Sequence, residues 1–431
     1  MQKLSSQFVI VGSGAGGAVL AMELSRRGAD VLVLERGRHE PEVGGLRPAL
    51  RYFDAGRLGI FPRKSREGVI LWRTLMAGGT TVVSCGNGVP CLRAELAALG
   101  IDLAEELAEA GREMRVQPTP PELVSQGSRR IAEAAAELGC RMDPMPKAID
   151  PAACARCGRC VLGCKRDAKW TALDCLAEAQ RNGARLFCGA DVREAVVEGG
   201  RAAGVRAVGP DGPMEARAET VVLAAGGLGT PPILQRSGLS EAGEGLFADL
   251  FVNVYGVAPG LSQAHEPPMP LVCTQFHDSD GFILSPFVNR SRVLRFMEMG
   301  LRGAVMPGEG LVGLMVKTAD DAAGRVDARG GISKPVTDAD RRRLDKGAGI
   351  AREILLRAGA RERSVVRTRV QGAHPGGTAA VGRVVDSHLR TRIEGLYVCD
   401  ASVLPAAPGL PPILTIVALA KRLARHLAGG A

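Results

Sequence analysis

Four cysteines fall within eleven residues of the chain. The text CARCGRCVLGC sets Cys154, Cys157, Cys160 and Cys164 at C-x2-C-x2-C-x3-C spacing. Thiolates at this spacing can each ligate one iron of a cubane iron–sulfur cluster, a 4Fe-4S centre. In bacterial ferredoxins proline follows the last cysteine of such a run, and that cysteine serves a second cluster. Here Lys165 follows, so spacing alone leaves the ligand set open. Zinc is the first alternative, although four-cysteine zinc sites usually come as two C-x2-C pairs across a long spacer. Thiols kept for packing are the second. The remaining seven cysteines are dispersed from Cys85 to Cys399. The chain opens MQKLSSQ and runs directly into FVIV, so no cleavable leader is expected, and it shows no apolar stretch of membrane length. A cytoplasmic location is expected, and in that reducing compartment a disulfide framework is not.

The second constellation is a Gly-rich turn, VGSGAGG, with Gly12, Gly14 and Gly17 in G-x-G-x-x-G spacing. Gly12 permits the tight turn, Gly14 lets backbone approach a pyrophosphate, and Gly17 lets a helix pack close to a strand. The following helix N-terminus offers free N–H groups to phosphate. Glu35 ends the next apolar run, where an acid can bind a ribose hydroxyl. The turn by itself does not separate FAD from NAD.

These groups need elements to hold them. Phe8 to Val11 reads as a buried strand, Ala15 to Arg27 as a helix and Val31 to Leu34 as a second strand, a βαβ opening. Ile101 to Met114 and Leu123 to Leu138 have helical patterns. Val192 to Val208 alternates like a hairpin, Val221 to Ala225 is a buried strand, and Leu396 to Cys399 is a last short one. Pro412 to Leu427 is a closing helix with proline in its first turn. Residues 241 to 367 are the least patterned and are expected to form a cap. With 431 residues, 46% hydrophobic and 23% charged, the chain has globular composition and room for two domains, which excludes a disordered or fibrous protein. Aromatics at 3% leave no stacking platform for single-stranded nucleic acid. The net charge of +9 is spread over scattered basic pairs and reads as a solvated surface, so no nucleic-acid partner is expected.

Two further Gly-rich segments complete the pattern. They are Met76-Ala77-Gly78-Gly79-Thr80-Thr81 and Leu223-Ala224-Ala225-Gly226-Gly227-Leu228-Gly229-Thr230-Pro231. The C-terminal text is AHPGGTAAVG and then LYVCDASVLPAAPGLPPILTIVALA. Together, and in this order, these segments resemble the glucose-methanol-choline (GMC) family of FAD-dependent oxidoreductases. The resemblance covers both ends and most of the chain between. It is weakest from Glu241 to about Gly310.

The resemblance implies an α/β fold: a Rossmann-type FAD-binding domain built from both chain ends, with a shortened α+β substrate cap. Residues 1–118 and 186–240 would form the first two parts of the FAD domain. Residues 119–185 would be a helical, Cys-rich segment, 241–367 the cap, and 368–431 the C-terminal FAD-binding and catalytic segment. Gly12, Gly14, Gly17 and Glu35 would hold the ADP half of FAD. Gly78, Gly79 and Thr80 would line the flavin and pyrophosphate, and Val192 would present backbone to the adenine. Asp400 would meet the ribityl or pyrophosphate region, and the helix beginning at Pro412 would point its N-terminus at the flavin. His374 would accept the substrate hydroxyl proton while hydride leaves carbon for the flavin, a task that imidazole suits near neutral pH. A subset of the family carries similar Cys-rich text before a segment echoed by Asp167-Ala168-Lys169.

Two positions depart from the family. Its second catalytic His or Asn is replaced by Pro411, which can neither donate a proton nor hold a substrate oxygen. Ser84 stands where the flavin loop often has Asn. His265 and His277, in the cap, are candidate substitutes. The expected function is a dehydrogenase that oxidises the hydroxyl of a small-molecule substrate and exports electrons through the cluster to a protein or quinone acceptor. Assembly as a homo-oligomer or with an electron-transfer partner is left open. A flavoenzyme acting on a C–C bond is the rival within redox chemistry. A non-catalytic electron-transfer subunit is the rival outside it.

Overall fold

The computed structural model describes residues 1–56 and 62–429. Its centre is a seven-stranded, largely parallel sheet in the order Arg185–Cys188, Val31–Glu35, Gln2–Val11, Gly212–Leu223, Arg201–Gly209, Asp191–Glu198, with Leu396–Val398 also paired to Gly212–Leu223. Val9 and Ile10 are fully buried, with Val9 in register with Leu32 on one side and Val221 on the other. Strands covered on both faces read as continuous apolar runs, which is why FVIV, VLVLE and TVVL stand out in the sequence. The first strand nevertheless begins at Gln2, earlier than the apolar run, because its polar half pairs with the hairpin strand from Met214 to Ala218.

The helix Ala15–Ser25 follows the first strand. It is buried from Gly16 to Ser25 and packs against the closing helix Ile413–Gly429 and the helix Ala172–Arg181. A Cβ at Gly16 would sit 1.8 Å from the Cys399 carbonyl oxygen, so helix and strand approach more closely than any side chain allows. The closing helix is tied down by Lys421, whose buried Nζ donates to Glu23 at 2.6 Å and Glu109 at 2.8 Å and lies 2.8 Å from Glu113. Burial alone would lower this lysine's pKa; the three carboxylates raise it. Removing one partner of such a buried group costs several kcal/mol, roughly 3–5.

The weakly patterned stretch carries most of the second sheet, which Ile70–Leu71 and Gln371–Gly372 complete from outside it. Its order is Phe282–Pro286, Leu311–Thr318, Leu250–Val257, Gln371–Gly372, Ile70–Leu71, with Val366–Arg367 also paired to Leu250–Val257. The helix Asp338–Arg357, opened by a Thr337/Asp340 capping box, covers one face through Leu344, Ala351, Ile354 and Leu355 against Val252, Val254, Leu314 and Val316. The period of two then turns Phe251, Met315 and Lys317 to the opposite face, where they line a cavity between the two sheets.

Candidate active site

The cavity measures about 530 Å³ and runs from the carboxyl ends of the parallel strands to the inner face of the second sheet. Such ends are where open α/β sheets bind ligands. Of the residues singled out in the sequence, Gly12, Gly14, Glu35, Gly79, Thr80, Val192, His374, Asp400 and Pro412 all line it. Gly17 and Gly78 stand just behind. A Cβ on Gly17 would meet the Gly12 carbonyl oxygen at 2.1 Å, and Gly78 takes a left-handed φ of 83°. Gly12 has φ 101°, and a Cβ there would meet the Ala224 carbonyl oxygen at 2.3 Å. Gly14 differs: no protein atom lies within 4 Å of its would-be Cβ, so its open side faces the space a ligand would fill.

Ser13, which sequence reasoning missed, knits the loops together. Its N–H and hydroxyl donate to Glu35 Oε2 at 3.0 and 2.7 Å, and its Oγ accepts from the Gly78 N–H at 3.2 Å. Glu35 Oε1 accepts from the Gly37 N–H at 2.7 Å, which fixes the carboxylate at the cavity edge. Asp400 is a clamp of the same kind. Oδ2 accepts from the Gly226 N–H at 2.8 Å and the Thr230 hydroxyl at 2.5 Å, and Oδ1 from the N–H and hydroxyl of Ser402. Burial holds its pKa above the usual carboxylate range, opposed by these donors.

His374 is held by residues far away in sequence. The N–H groups of Ala373 and His374 both donate to the Ala248 carbonyl, at 3.0 and 3.2 Å. The next residue, Asp249, places Oδ2 2.8 Å from His374 Nδ1, while its Oδ1 accepts from the Gly409 N–H at 3.0 Å. Asp249 sits at φ 46°, a left-handed conformation that Asp tolerates better than most residues. Lys317 Nζ lies 3.4 Å from the same His374 Nδ1. Burial first, and then the Lys317 charge, hold the His374 pKa well below its usual range. Burial raises that of Asp249, opposed by Lys317 and the Gly409 N–H. Toward an ionised Asp249 a neutral imidazole donates from Nδ1, which leaves Nε2 as its basic nitrogen.

Pro411 also lines the cavity. His265 and His277 do not. His277 Nε2 is 2.9 Å from the Pro408 carbonyl and its Nδ1 2.8 Å from Asp278. The Ser84 hydroxyl turns to the Gly86 N–H at 3.2 Å.

The cysteine loop reaches the cavity wall through Val161. Cys160 is buried, Cys154 and Cys164 are half-buried, and Cys157 is exposed. Burial raises the thiol pKa of Cys154, and that of Cys160 to about 12. Among the described residues no three of these sulfurs lie within 4.8 Å of one another. Zn–S bonds of about 2.3 Å in a tetrahedron need sulfurs about 3.8 Å apart, closer than any three of these thiols stand in the loop.

Known proteins share this sequence pattern and fold. Residues 6–251 match the N-terminal GMC oxidoreductase family model and residues 333–420 the C-terminal one. An uncharacterised GMC-type oxidoreductase of Mycobacterium tuberculosis is 32% identical over 96% of this chain and 75% of its own length. Long-chain-alcohol oxidase FAO3 of Arabidopsis thaliana is 24% identical over 99% of this chain and 68% of its own. The solved pyridoxine 4-oxidase of Mesorbium loti superposes with a TM-score of 0.73 at 20% identity, covering 98% of this chain and 99% of that one. The chain belongs to the GMC oxidoreductase family and is an FAD-dependent oxidoreductase. Among the described residues no helix is long and apolar enough to cross a membrane.

Proposed function

We propose that this enzyme oxidises a hydroxyl-bearing carbon of a small molecule, with His374 as the general base. The observation that carries the reading is the buried Asp249–His374 pair on the wall of the cavity that the Gly-rich loops enter. Relatives named for alcohol and pyridoxine oxidation support the substrate class. FAD, when bound, supplies the hydride acceptor. Gly12, Gly14, Gly17 and Glu35 would hold its ADP half, Val192 its adenine, and Gly78, Gly79 and Thr80 its flavin end. Asp400 would fix the Gly226 loop at the ribityl and pyrophosphate region, and the helix after Pro412 would offer its N-terminal N–H groups to the flavin. The open side of Gly14 is the feature that fits a dinucleotide. His374 Nε2 takes the hydroxyl proton, and Asp249 keeps the ring in the tautomer that can accept it. The intact pair weighs against a non-catalytic electron-transfer subunit.

We further propose that Cys154, Cys157, Cys160 and Cys164 hold a 4Fe-4S cluster, in a chain that works in the reducing cytoplasm. A donor set of thiols alone, on one loop that shares the cavity wall through Val161, supports this. The cluster, when bound, supplies one-electron transfer toward a protein or quinone acceptor. All eleven cysteines are unpaired.

The test is anaerobic flavin reduction by a panel of alcohols in the wild type and His374→Ala. Loss of a general base slows the step about 10²–10⁴-fold, with FAD content unchanged. Reduction of the variant at the wild-type rate at every pH would leave His374 a structural residue.

A further inference from the structure

Among the described residues five lysines are almost fully buried: Lys147, Lys169, Lys317, Lys334 and Lys421. Four of them saturate their ammonium groups with protein acceptors. Lys147 donates to the Cys85 carbonyl, Asn87 Oδ1 and the Pro268 carbonyl. Lys169 donates to the carbonyls of Thr81, Val82 and Ser84. Lys334 donates to the carbonyls of Asp321 and Pro335 and pairs with Asp320. Lys421 has its three glutamates. None of these four lines the cavity.

Lys317 breaks both patterns. It is 3% exposed, and its Nζ has one polar contact among the described residues, His374 Nδ1 at 3.4 Å. It is also the one of the five that lines the cavity. An ammonium has three donors. With Nδ1–H turned to Asp249, that contact is not a hydrogen bond, and leaving the ammonium's donors without protein acceptors in a buried wall is costly unless something in the cavity takes them. The strand fixes the side chain there: Lys317 lies between Phe251 and Ile283 in the cap sheet, on the face that carries Phe251 and Met315.

We propose that the Lys317 ammonium binds the substrate oxygen from which His374 takes the proton, the role that proline at position 411 cannot fill. This rests on the His374 reading above. The C–H bond breaks with its electron pair leaving as hydride to the flavin. The O–H proton passes to His374 Nε2, and the C–O bond becomes a carbonyl. Lys317 keeps its own protons and donates to the oxygen as negative charge develops on it. The groups facing Lys317 allow this. Asp249 and His374 stand on one side, and the thiols of Cys85 and Cys91 stand near, kept neutral by burial. The charge of His277 also bears on Asp249. Burial lowers the Lys317 pKa and Asp249 raises it, so the ammonium is the form lost as pH rises.

The experiment compares FAD-loaded wild type, Lys317→Met, Lys317→Arg and His374→Ala in anaerobic stopped-flow reduction by the best alcohol of the panel, from pH 5 to 10. Isobutyramide, an unreactive carbonyl probe, is titrated against the oxidised flavin spectrum in each. Lys317→Met is expected to keep its FAD and to reduce about 10²–10³-fold more slowly, the cost of losing one oxyanion donor. It should lose the basic limb of the pH profile and bind isobutyramide at least tenfold more weakly, and Lys317→Arg should recover part of each. Should Lys317→Met lose FAD, Lys317→Gln replaces it with the same expectations. Wild-type reduction or unchanged isobutyramide binding in the uncharged variants overturns the proposal. If His374→Ala is slow while the uncharged Lys317 variants are not, the Lys317 role alone falls. If His374→Ala is also fast, the general-base reading falls with it.

Discussion

Replacing Asp249 by Asn tests the tautomer argument with almost no change of shape. In the native site the two carboxylate oxygens do different work. Oδ1 accepts from the Gly409 N–H at 3.0 Å and Oδ2 accepts from His374 Nδ1–H at 2.8 Å. An amide has one oxygen. If that oxygen stays on Nδ1–H, the NH2 group faces the Gly409 N–H, and a buried donor is left unsatisfied at a cost of about 1–3 kcal/mol. If the oxygen serves Gly409 instead, the NH2 group donates to Nδ1 and the ring must carry its proton on Nε2. Lys317, 3.4 Å from Nδ1, favours the same outcome, because it too can donate only to an unprotonated Nδ1. The wrong tautomer should therefore dominate by about 1–3 kcal/mol, or roughly 5–150-fold, since about 1.4 kcal/mol is a factor of ten. Asp249→Asn should retain FAD and show a limiting rate of flavin reduction lowered by that factor in anaerobic stopped-flow. A variant with full flavin and a wild-type rate would show that the Asp249 bond does not set the basic nitrogen.

Two more outcomes follow from other parts of the molecule. Single Cys→Ser changes at Cys154, Cys157, Cys160 or Cys164 should lower iron and sulfide content in anaerobically purified protein while changes at Cys188 or Cys273 should not. Flavin reduction by substrate should survive the loss, and turnover with a one-electron protein acceptor should fall. Glu298 is buried in the cap, with Tyr255 O–H donating to Oε2 at 3.0 Å and the Nδ2 groups of Asn253 and Asn289 near Oε1 at 3.3 and 3.4 Å. Burial pushes its pKa up from 4.5 to about 7. The folded state thus binds a proton that the unfolded state releases near pH 4.5, and the associated stability is present below that pH and lost as pH rises through about 7. At about 1.4 kcal/mol per unit, wild type should lose on the order of 3 kcal/mol between pH 5 and pH 8 that Glu298→Gln does not. Urea unfolding at the two pH values checks this, and equal losses in both proteins would contradict it.

The parallel half of the fold was legible because its strands are buried on both faces and its turns are glycine. FVIV, VLVLE and the hairpin from Asp191 to Gly209 announce themselves, and Gly12, Gly14 and Gly17 lie where the spacing puts them. The cap was hard to read for a related reason. LFVNVYGV and LVGLMVKT are also buried on both faces, so they show no alternation, and Asn253 and Lys317 interrupt their apolar runs. Glu35 and Asp400 were found from their places at strand ends. The bonds they make to Ser13, Thr230 and Ser402 depend on loops that only the folded chain brings together. Asp249 and Lys317 were missed outright. The one available signal was a lone lysine within an apolar strand pattern, since such a residue is buried only where something accepts its charge.

That lysine changes where specificity and chemistry meet. In the sequence pattern that the chain resembles, both groups acting on the substrate oxygen belong to the C-terminal segment, which also forms part of the flavin wall. Here His374 remains on that segment and Pro411 gives up the second position. Among the described residues the one cavity-lining cation with open donors beside His374 rises from the cap sheet, flanked on the same face by Phe251 and Met315. A substrate that meets Lys317 must therefore be seated against the cap's apolar wall before its hydroxyl can lose a proton. Changes at Phe251 or Met315 that shift the substrate by a fraction of an ångström would then move the oxygen relative to Lys317 as well. They should alter the rate of flavin reduction as well as apparent affinity, which is what differential binding of the transition state requires.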